Sequence, residues 1–282
     1  MEASPQRRTA FVLGGGGLRG AVEVGMLLAL ADAGITPDVV VGTSIGSFNG
    51  AVAATMPMPQ AAKHLEMAWR DIAERRILNE SFVARVANVA RHRIHLHSNE
   101  PLRAMLDDWV PVRRFRETLV PFECVAACIE TSAEHWFHDG LLVDAILASS
   151  AVPGLFPPVE INGRHFIDGG VVNSIPVSRA VELGATEVYI MHVGHVDATL
   201  RVPRHAWDVA FVAFEIARRH RFHHDMHELP SHVTAHVLPT GDVELQRFND
   251  PAKLRYNHRG SIRRDIERAR EATAVYLSTH QG

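Results

Sequence analysis

An α/β fold, a mostly parallel sheet with helices on its faces, is what this 282-residue sequence predicts, and two features carry that prediction. Short apolar runs alternate with stretches of helical spacing as strand–helix–strand–helix within the first 55 residues, the order that builds parallel sheets. The first two strands each run into a glycine-rich turn and then a helix start. Size and composition fit one large globular domain, with 46% hydrophobic and 22% charged residues.

Residues 1–8 read as a polar tail, and Thr9–Leu13 as a buried strand entering Gly14-Gly15-Gly16-Gly17-Leu18-Arg19-Gly20. The apolar helix that follows carries Val22, Met26, Leu30 and Ala33 and is stopped by Gly34 and Pro37. A second strand over 38–41 enters Gly42-Thr43-Ser44-Ile45-Gly46 and the helix Ile45–Thr55. Residues 60–115 are helical and more polar, a cap or flank between strands, with Trp69, Ile72, Ile77, Phe82, Val86 and Val89 as packing positions. Asn99-Glu100-Pro101 opens a helix whose Leu102, Leu106 and Trp109 face inward.

Strand character returns at 123–130 and 134–138, and a short helix over 143–149 leads into the apolar, proline-rich loop 150–158. Asn162-Gly163 predicts a two-residue hairpin turn between Val159–Ile161 and residues 165–167, and Asp168-Gly169-Gly170 ends its second strand. A helix over 178–183 and a buried strand over 187–193 follow, and residues 200–282 are helical around one strand over 232–238. With no repeat or linker, residues 9–282 read as a single domain whose core motifs lie within 9–195.

A net charge of −3 gives no case for a nucleic-acid partner. Of 29 basic residues only Lys63 and Lys253 are lysines, and that arginine bias is better explained by genome composition than by anion binding. Cys124 and Cys128, the only cysteines, sit in an apolar run and read as small buried hydrophobes of a cytosolic protein. Arg7-Arg8 before an apolar run resembles a secretory start, but Arg19 and Glu23 interrupt any signal core. Residues 39–62 lack charge, yet their polar residues, prolines and glycines argue against a membrane span.

Gly42-Thr43-Ser44-Ile45-Gly46 is Gly-x-Ser-x-Gly between a strand and a helix, the setting of a nucleophile elbow. So tight a turn requires residues nearly without side chains two before and two after the serine, and Gly42 and Gly46 meet that need. Ser44 would stand at the positive end of its helix, with the Ile45 amide facing a developing oxyanion. The plain alternative is a glycine-serine loop. Gly15, Gly16, Gly17 and Gly20 would expose amides as an anion-binding nest beside it. Gly15-x-Gly17-x-x-Gly20 also fits a dinucleotide fingerprint, but Asp38 precedes the second strand rather than ending it, so that reading fails at its confirming residue. As base, Asp168 is presented by two following glycines, while His192 and His195 follow a strand and stay open by pattern.

Gly15-Gly16-Gly17-Leu18-Arg19-Gly20, Gly42-Thr43-Ser44-Ile45-Gly46, Ser149-Ser150-Ala151-Val152-Pro153-Gly154-Leu155-Phe156-Pro157-Pro158 and Asp168-Gly169-Gly170, in this order, resemble the patatin-like phospholipase family. The resemblance implies a three-layer α/β/α sandwich and a serine lipid acyl hydrolase with a Ser–Asp dyad, no histidine, no metal and no cofactor. By position it makes Ser44 the nucleophile and Asp168 the base. It forms the oxyanion hole from the amides of Gly15, Gly16 and Gly17, joined by Arg19. Val22-Glu23-Val24 stands where many relatives carry a histidine, a departure that bears on subfamily. The implied substrate is a lipid or fatty-acyl ester, met from the cytoplasm with peripheral membrane contact. An aspartate with an ordinary pKa of ~3.9 is a poor base, so closure of loop 151–158 is expected to desolvate Asp168.

Two rival readings are a non-catalytic lipid- or protein-binding member of the same fold and a nucleotide-binding oxidoreductase. His220, His223, His224 and His227 share one helix face with zinc-like spacing but lack a companion cysteine, and read as solvated positions. The same helix over 206–226 carries Trp207, Phe211, Phe214 and Phe222 with Arg218, Arg219 and Arg221. It reads as core packing with a basic solvent face rather than a lipid-docking helix. Ser149 and Ser150 lie outside any elbow and are set aside as nucleophiles.

Overall fold

The computed structural model describes residues 7–75, 97–193, 199–200, 202–203, 206–242 and 259–280. Ile77, Phe82, Val86, Val89 and His195 lie outside the described residues. The first half contains β1 Thr9–Leu13, α1 Ala21–Asp32, β2 Val39–Thr43, α2 Ile45–Thr55, α3 Met58–Arg75, α4 Glu100–Trp109, β3 Phe122–Cys128 and β4 Ala133–Phe137. The second contains α5 Leu142–Ser149, β5 Val159–Ile161, β6 Arg164–Asp168, α6 Val177–Glu182, β7 Glu187–Met191, α7 Ala206–His227, β8 Thr234–Val237 and α8 Arg259–His280.

The strands form one sheet in the order β5-β6-β3-β2-β1-β7-β8, with β4 added on β3. Strands β1, β2, β3, β7 and β8 pair in parallel, and β4, β5 and β6 are antiparallel. The central parallel strands β1, β2, β3 and β7 are buried on both faces, as parallel strands with crossover helices must be, while β4, β5, β6 and β8 are partly exposed. Phe11, Leu13, Val40, Tyr189 and Met191 join the core made with α1, α2, α3, α4, α5 and α8. Their neighbours Ala10, Val12, Val39, Val41, Val188 and Ile190 point the other way, to Val177 and Ala180 of α6 and Phe222 of α7. This period-2 split is the α/β/α sandwich. Among the described residues of the 60–115 stretch, Leu65 and Trp69 of α3 and Leu106 of α4 are fully buried in the core that the elbow helix joins. Among the described residues, no helix is long and apolar enough to cross a membrane.

β2 extends to Thr43 rather than stopping at Val41, because its ladder with β3 continues through Gly42↔Cys124 and Thr43↔Val125. The hairpin turn is as expected, with both Asn162 (φ 52°) and Gly163 (φ 75°) in the left-handed region. The pairing around β3 positions the site. β4 lies along one edge of β3 from Cys124 to Cys128, so β6, pairing with Ala126–Cys128, must use the other edge. That edge is already taken by β2 up to Thr43↔Val125, and β6 resumes it at Asp168↔Ala126. Two strands of opposite direction therefore end tip to tip. Ser44 follows one tip and Asp168 is the other.

Candidate active site

Ser44 is a non-glycine residue at φ 54°, ψ −124°, the strained conformation of a sharp strand-to-helix turn. Its flanking glycines are sterically required. A Cβ on Gly42 would lie 2.5 Å from the Gly46 carbonyl oxygen, and one on Gly46 would lie 2.3 Å from that of Leu13. The Ser44 hydroxyl donates to Asp168 Oδ2 at 2.6 Å, across 124 residues of sequence. The Ser44 N–H donates to Ser149 Oγ at 2.8 Å, and that hydroxyl in turn donates to the Val125 carbonyl at 2.6 Å. Ser149 is thus a brace for the elbow, a role that its position in sequence did not reveal.

Asp168 is 3% exposed. Its Oδ1 accepts the Gly170 N–H at 2.7 Å, and its own N–H donates to the Ala151 carbonyl at 2.9 Å. Burial pushes its carboxyl up to about 6, against the opposing pull of the hydrogen bonds from Ser44 and Gly170. The expected loop closure is therefore not needed to desolvate it. The fold does so already, with Ala151 at the base of that loop holding the aspartate backbone. Gly169 is required here, since its Cβ would lie 2.1 Å from the Val125 carbonyl oxygen. Thr43 Oγ1 donates to the Asn173 carbonyl at 2.8 Å, tying the end of β2 to the turn after Asp168.

The glycine loop needs a correction. The Gly14 N–H donates to Met191 at 2.9 Å and the Gly15 N–H to Ser174 at 2.8 Å, so Gly15 spends its amide on holding the loop to the sheet. A Cβ on Gly15 would touch Ser44 Cβ at 3.4 Å, which puts this residue against the serine as backbone rather than as donor. Gly16 and Gly17 are exposed. Arg19 is engaged elsewhere: its guanidinium donates to Asp242 Oδ2 at 2.5 Å and its N–H to the Gly16 carbonyl at 3.3 Å. Gly20 packs tightly on the elbow helix, its Cβ position being 2.6 Å from Ile45 Cγ1. Beneath the loop, Glu23 is fully buried and accepts from Asn49 Nδ2 at 2.8 Å, while Trp69 Nε1 donates to Asn49 Oδ1 at 2.9 Å. Burial raises the Glu23 carboxyl well above the ordinary carboxylate range.

Among the other sequence candidates, His192 is buried against the ring of Phe222, at 6.3 Å between centroids. Asp38 accepts the Thr9 N–H at 2.7 Å and so ties β1 to β2. Cys124 and Cys128 are free and buried in β3. His220, His223, His224 and His227 are all exposed on α7. The expected basic solvent face of that helix is wrong for two of its arginines. Arg218 and Arg219 are 4% and 8% exposed, held by the equally buried Glu215. Carboxylate pairing three and four residues away lets a helix bury charges that amphipathic spacing would send to solvent.

The model of the patatin-like phospholipase family matches residues 11–181. A rat protein, patatin-like phospholipase domain-containing protein 7, is 31% identical over 192 residues, which are 67% of this chain and 14% of that protein. Lysophospholipase nte1 of Aspergillus terreus is 31% identical over 195 residues, 68% of this chain and 12% of the fungal one. The chain therefore spans a small part of the length of these curated relatives. Among solved structures, VipD from Legionella pneumophila superposes with a TM-score of 0.48 at 13% identity, over 98% of this chain and 67% of that one.

Proposed function

We propose, for a chain that belongs to the patatin-like phospholipase family, that it is a serine lipid acyl hydrolase in which Ser44 and Asp168 act as a dyad. The observation that carries this reading is the 2.6 Å hydrogen bond from the Ser44 hydroxyl to a carboxyl that burial has lifted to about 6. Such a carboxylate is ionised at neutral pH yet basic enough to share a proton with an alcohol, the compromise a general base requires.

Asp168 accepts the hydroxyl proton as Ser44 Oγ bonds to the ester carbonyl carbon, whose oxygen becomes an oxyanion. The amides of Gly16, Gly17 and Ile45, with the positive end of α2, stabilise that charge. Asp168 returns the proton to the leaving alcohol as the C–O bond breaks and the acyl-enzyme forms. Water, deprotonated by the same carboxylate, then attacks the acyl carbon, and Ser44 Oγ leaves with the proton. No histidine is needed in either step. The substrate is a lipid or fatty-acyl ester, reached by a cytoplasmic enzyme through peripheral contact with a lipid surface.

The test is labelling by a fluorophosphonate probe together with hydrolysis of a p-nitrophenyl ester and a lysophospholipid. Wild type is expected to label at Ser44 and turn over, and Ser44→Ala to do neither while melting normally. Wild type that neither labels nor turns over would support the non-catalytic alternative, and an active Ser44→Ala would remove the nucleophile.

A further inference from the structure

We propose that Arg218 of α7 is a positioning residue that sets the direction of the Gly16 N–H, the first donor of the oxyanion hole; this rests on the dyad reading above. Arg218 lies 203 residues from the loop that it touches, and its Nη1 donates to the Gly15 carbonyl at 3.2 Å. On the other side of the same residue, the Gly15 N–H is fixed to the Ser174 carbonyl at 2.8 Å. In a trans peptide the C=O of one residue and the N–H of the next point in opposite directions. Holding the Gly15 oxygen therefore dictates where the Gly16 hydrogen faces.

Such a pin matters because glycine peptides turn over at little steric cost. A Gly15–Gly16 peptide that flipped would present a carbonyl to the oxyanion. The guanidinium removes that freedom, and it is itself held. Glu215, 1% exposed, contacts Arg218 Nε at 3.3 Å and Arg219 Nε at 2.7 Å. One helical turn before Arg218, the ring of Phe214 comes within 2.9 Å of where a Cβ on Gly170 would sit, and Gly170 is the residue whose N–H binds Asp168. One helix thus reaches both walls of the site, at a carbonyl on one and at a glycine on the other.

The experiment compares Arg218→Met and Arg218→Lys with wild type on a p-nitrophenyl ester. Readouts are kcat, KM, melting temperature and affinity for a trifluoromethyl ketone, which forms an oxyanion adduct with the serine. Losing one oxyanion donor lowers kcat by about 10²–10³-fold. Arg218→Met is expected to lose kcat on that order with KM within about twofold, and to lose ketone affinity in the same proportion as kcat/KM. Arg218→Lys keeps a charge beside Glu215 and one donor in place of the fork, so it is expected to fold and to recover part of the loss. If Arg218→Met does not melt cooperatively, Arg218→Lys decides alone, with an expected fall in kcat of roughly tenfold. Wild-type kcat in the folded variants, or a loss of kcat without loss of ketone affinity, overturns the proposal while an inactive Ser44→Ala keeps the dyad. An active Ser44→Ala removes both.

Discussion

The two walls of the candidate site are built on different principles. The wall carrying Ser44 and Asp168 is sheet: two strand ends meet on one edge of β3, and each residue is set by backbone that glycine alone permits. The wall carrying the glycine loop is tied to its neighbours through the Gly14 and Gly15 amides and is braced by side chains from the last third of the chain. Arg218 reaches the Gly15 carbonyl, and Asp242 holds Arg19. Sheet fixes positions to within a hydrogen bond and leaves no room to adjust. A loop braced by side chains can be loosened without unfolding the molecule. Damage to the first wall should therefore end chemistry or folding, and damage to the second should grade activity.

The largest effect expected is Asp168→Asn, which leaves Ser44 without a base. Loss of a triad's orienting carboxylate costs on the order of 10⁴-fold in kcat, and here the carboxylate is the base itself. In wild type, kcat/KM should rise with pH through about 6, where Asp168 gives up its proton, and then level off. The pH profile of ester hydrolysis checks this. A profile flat from pH 5 to 8 would take the base role away from Asp168. Next in size is Gly46→Ala. Its Cβ meets backbone oxygens of Leu13, the last residue of β1, at 2.3 Å and of Gly14, which is hydrogen-bonded to the end of β7, at 2.7 Å, so neither can readily yield. A loss of about 3 kcal/mol is expected from such overpacking, read as a lower urea midpoint.

Asp168 also makes stability depend on pH, and in the direction opposite to an ordinary salt-bridged aspartate. Its folded pKa is raised from 3.8 to about 6, so between those values the folded state holds more protons than the unfolded one. Stability from this group is full below about 4, falls as pH rises toward 6, and is constant above. A shift of about two units is worth roughly 3 kcal/mol. Asp168→Asn removes this dependence, so between pH 4 and pH 7 the urea midpoint of the variant should gain on that of wild type by the equivalent of that amount. Ser149→Ala should cost less, about 2 kcal/mol, because it strands the buried N–H of Ser44 and takes a donor from the Val125 carbonyl. Equilibrium unfolding of the variant at pH 7 reads that cost directly.

How much of this was legible in the sequence follows the same division. Gly42-Thr43-Ser44-Ile45-Gly46 announces itself because strand, turn and helix are contiguous, and steric demands of a turn are local. Asp168 was legible from the residues as a turn aspartate presented by two glycines, and as the base through the family resemblance. What makes it face Ser44 is the sharing of one β3 edge by β2 and β6, a topological fact that no spacing encodes. The glycine cluster was read with all its amides exposed, yet the loop has to be knit to the sheet, and Gly15 gives up its N–H for that. Ser149, Ser174 and Arg218 were invisible for a common reason. Each acts on backbone atoms far away in the chain, and a backbone atom leaves no signature in the identity of its residue. Arg218 and Arg219 were assigned to solvent because helical spacing counts charges singly, whereas Glu215 binds both.

The smallest effect should come from the outermost brace of the second wall. Arg268 of α8 is 40% exposed in its side chain and contacts Asp242 at 2.9 Å, with a second contact to Asp265. Asp242 has 1% of its side chain exposed and retains Arg19 when Arg268 is gone, whereas Asp265, with 12% of its side chain exposed, loses its Arg268 partner. The Asp242 pair stays intact and only the largely buried Asp265 is left unpaired, so Arg268→Ala should cost about 1 kcal/mol and leave kcat unchanged. The pair of measurements discriminates. If kcat falls while the melting temperature holds, the chain of contacts from Arg268 through Asp242 to Arg19 reaches the glycine loop as strongly as Arg218 does, and that wall is one coupled network. If neither moves, the loop is held at Gly15 and the outer ion pairs only cover it.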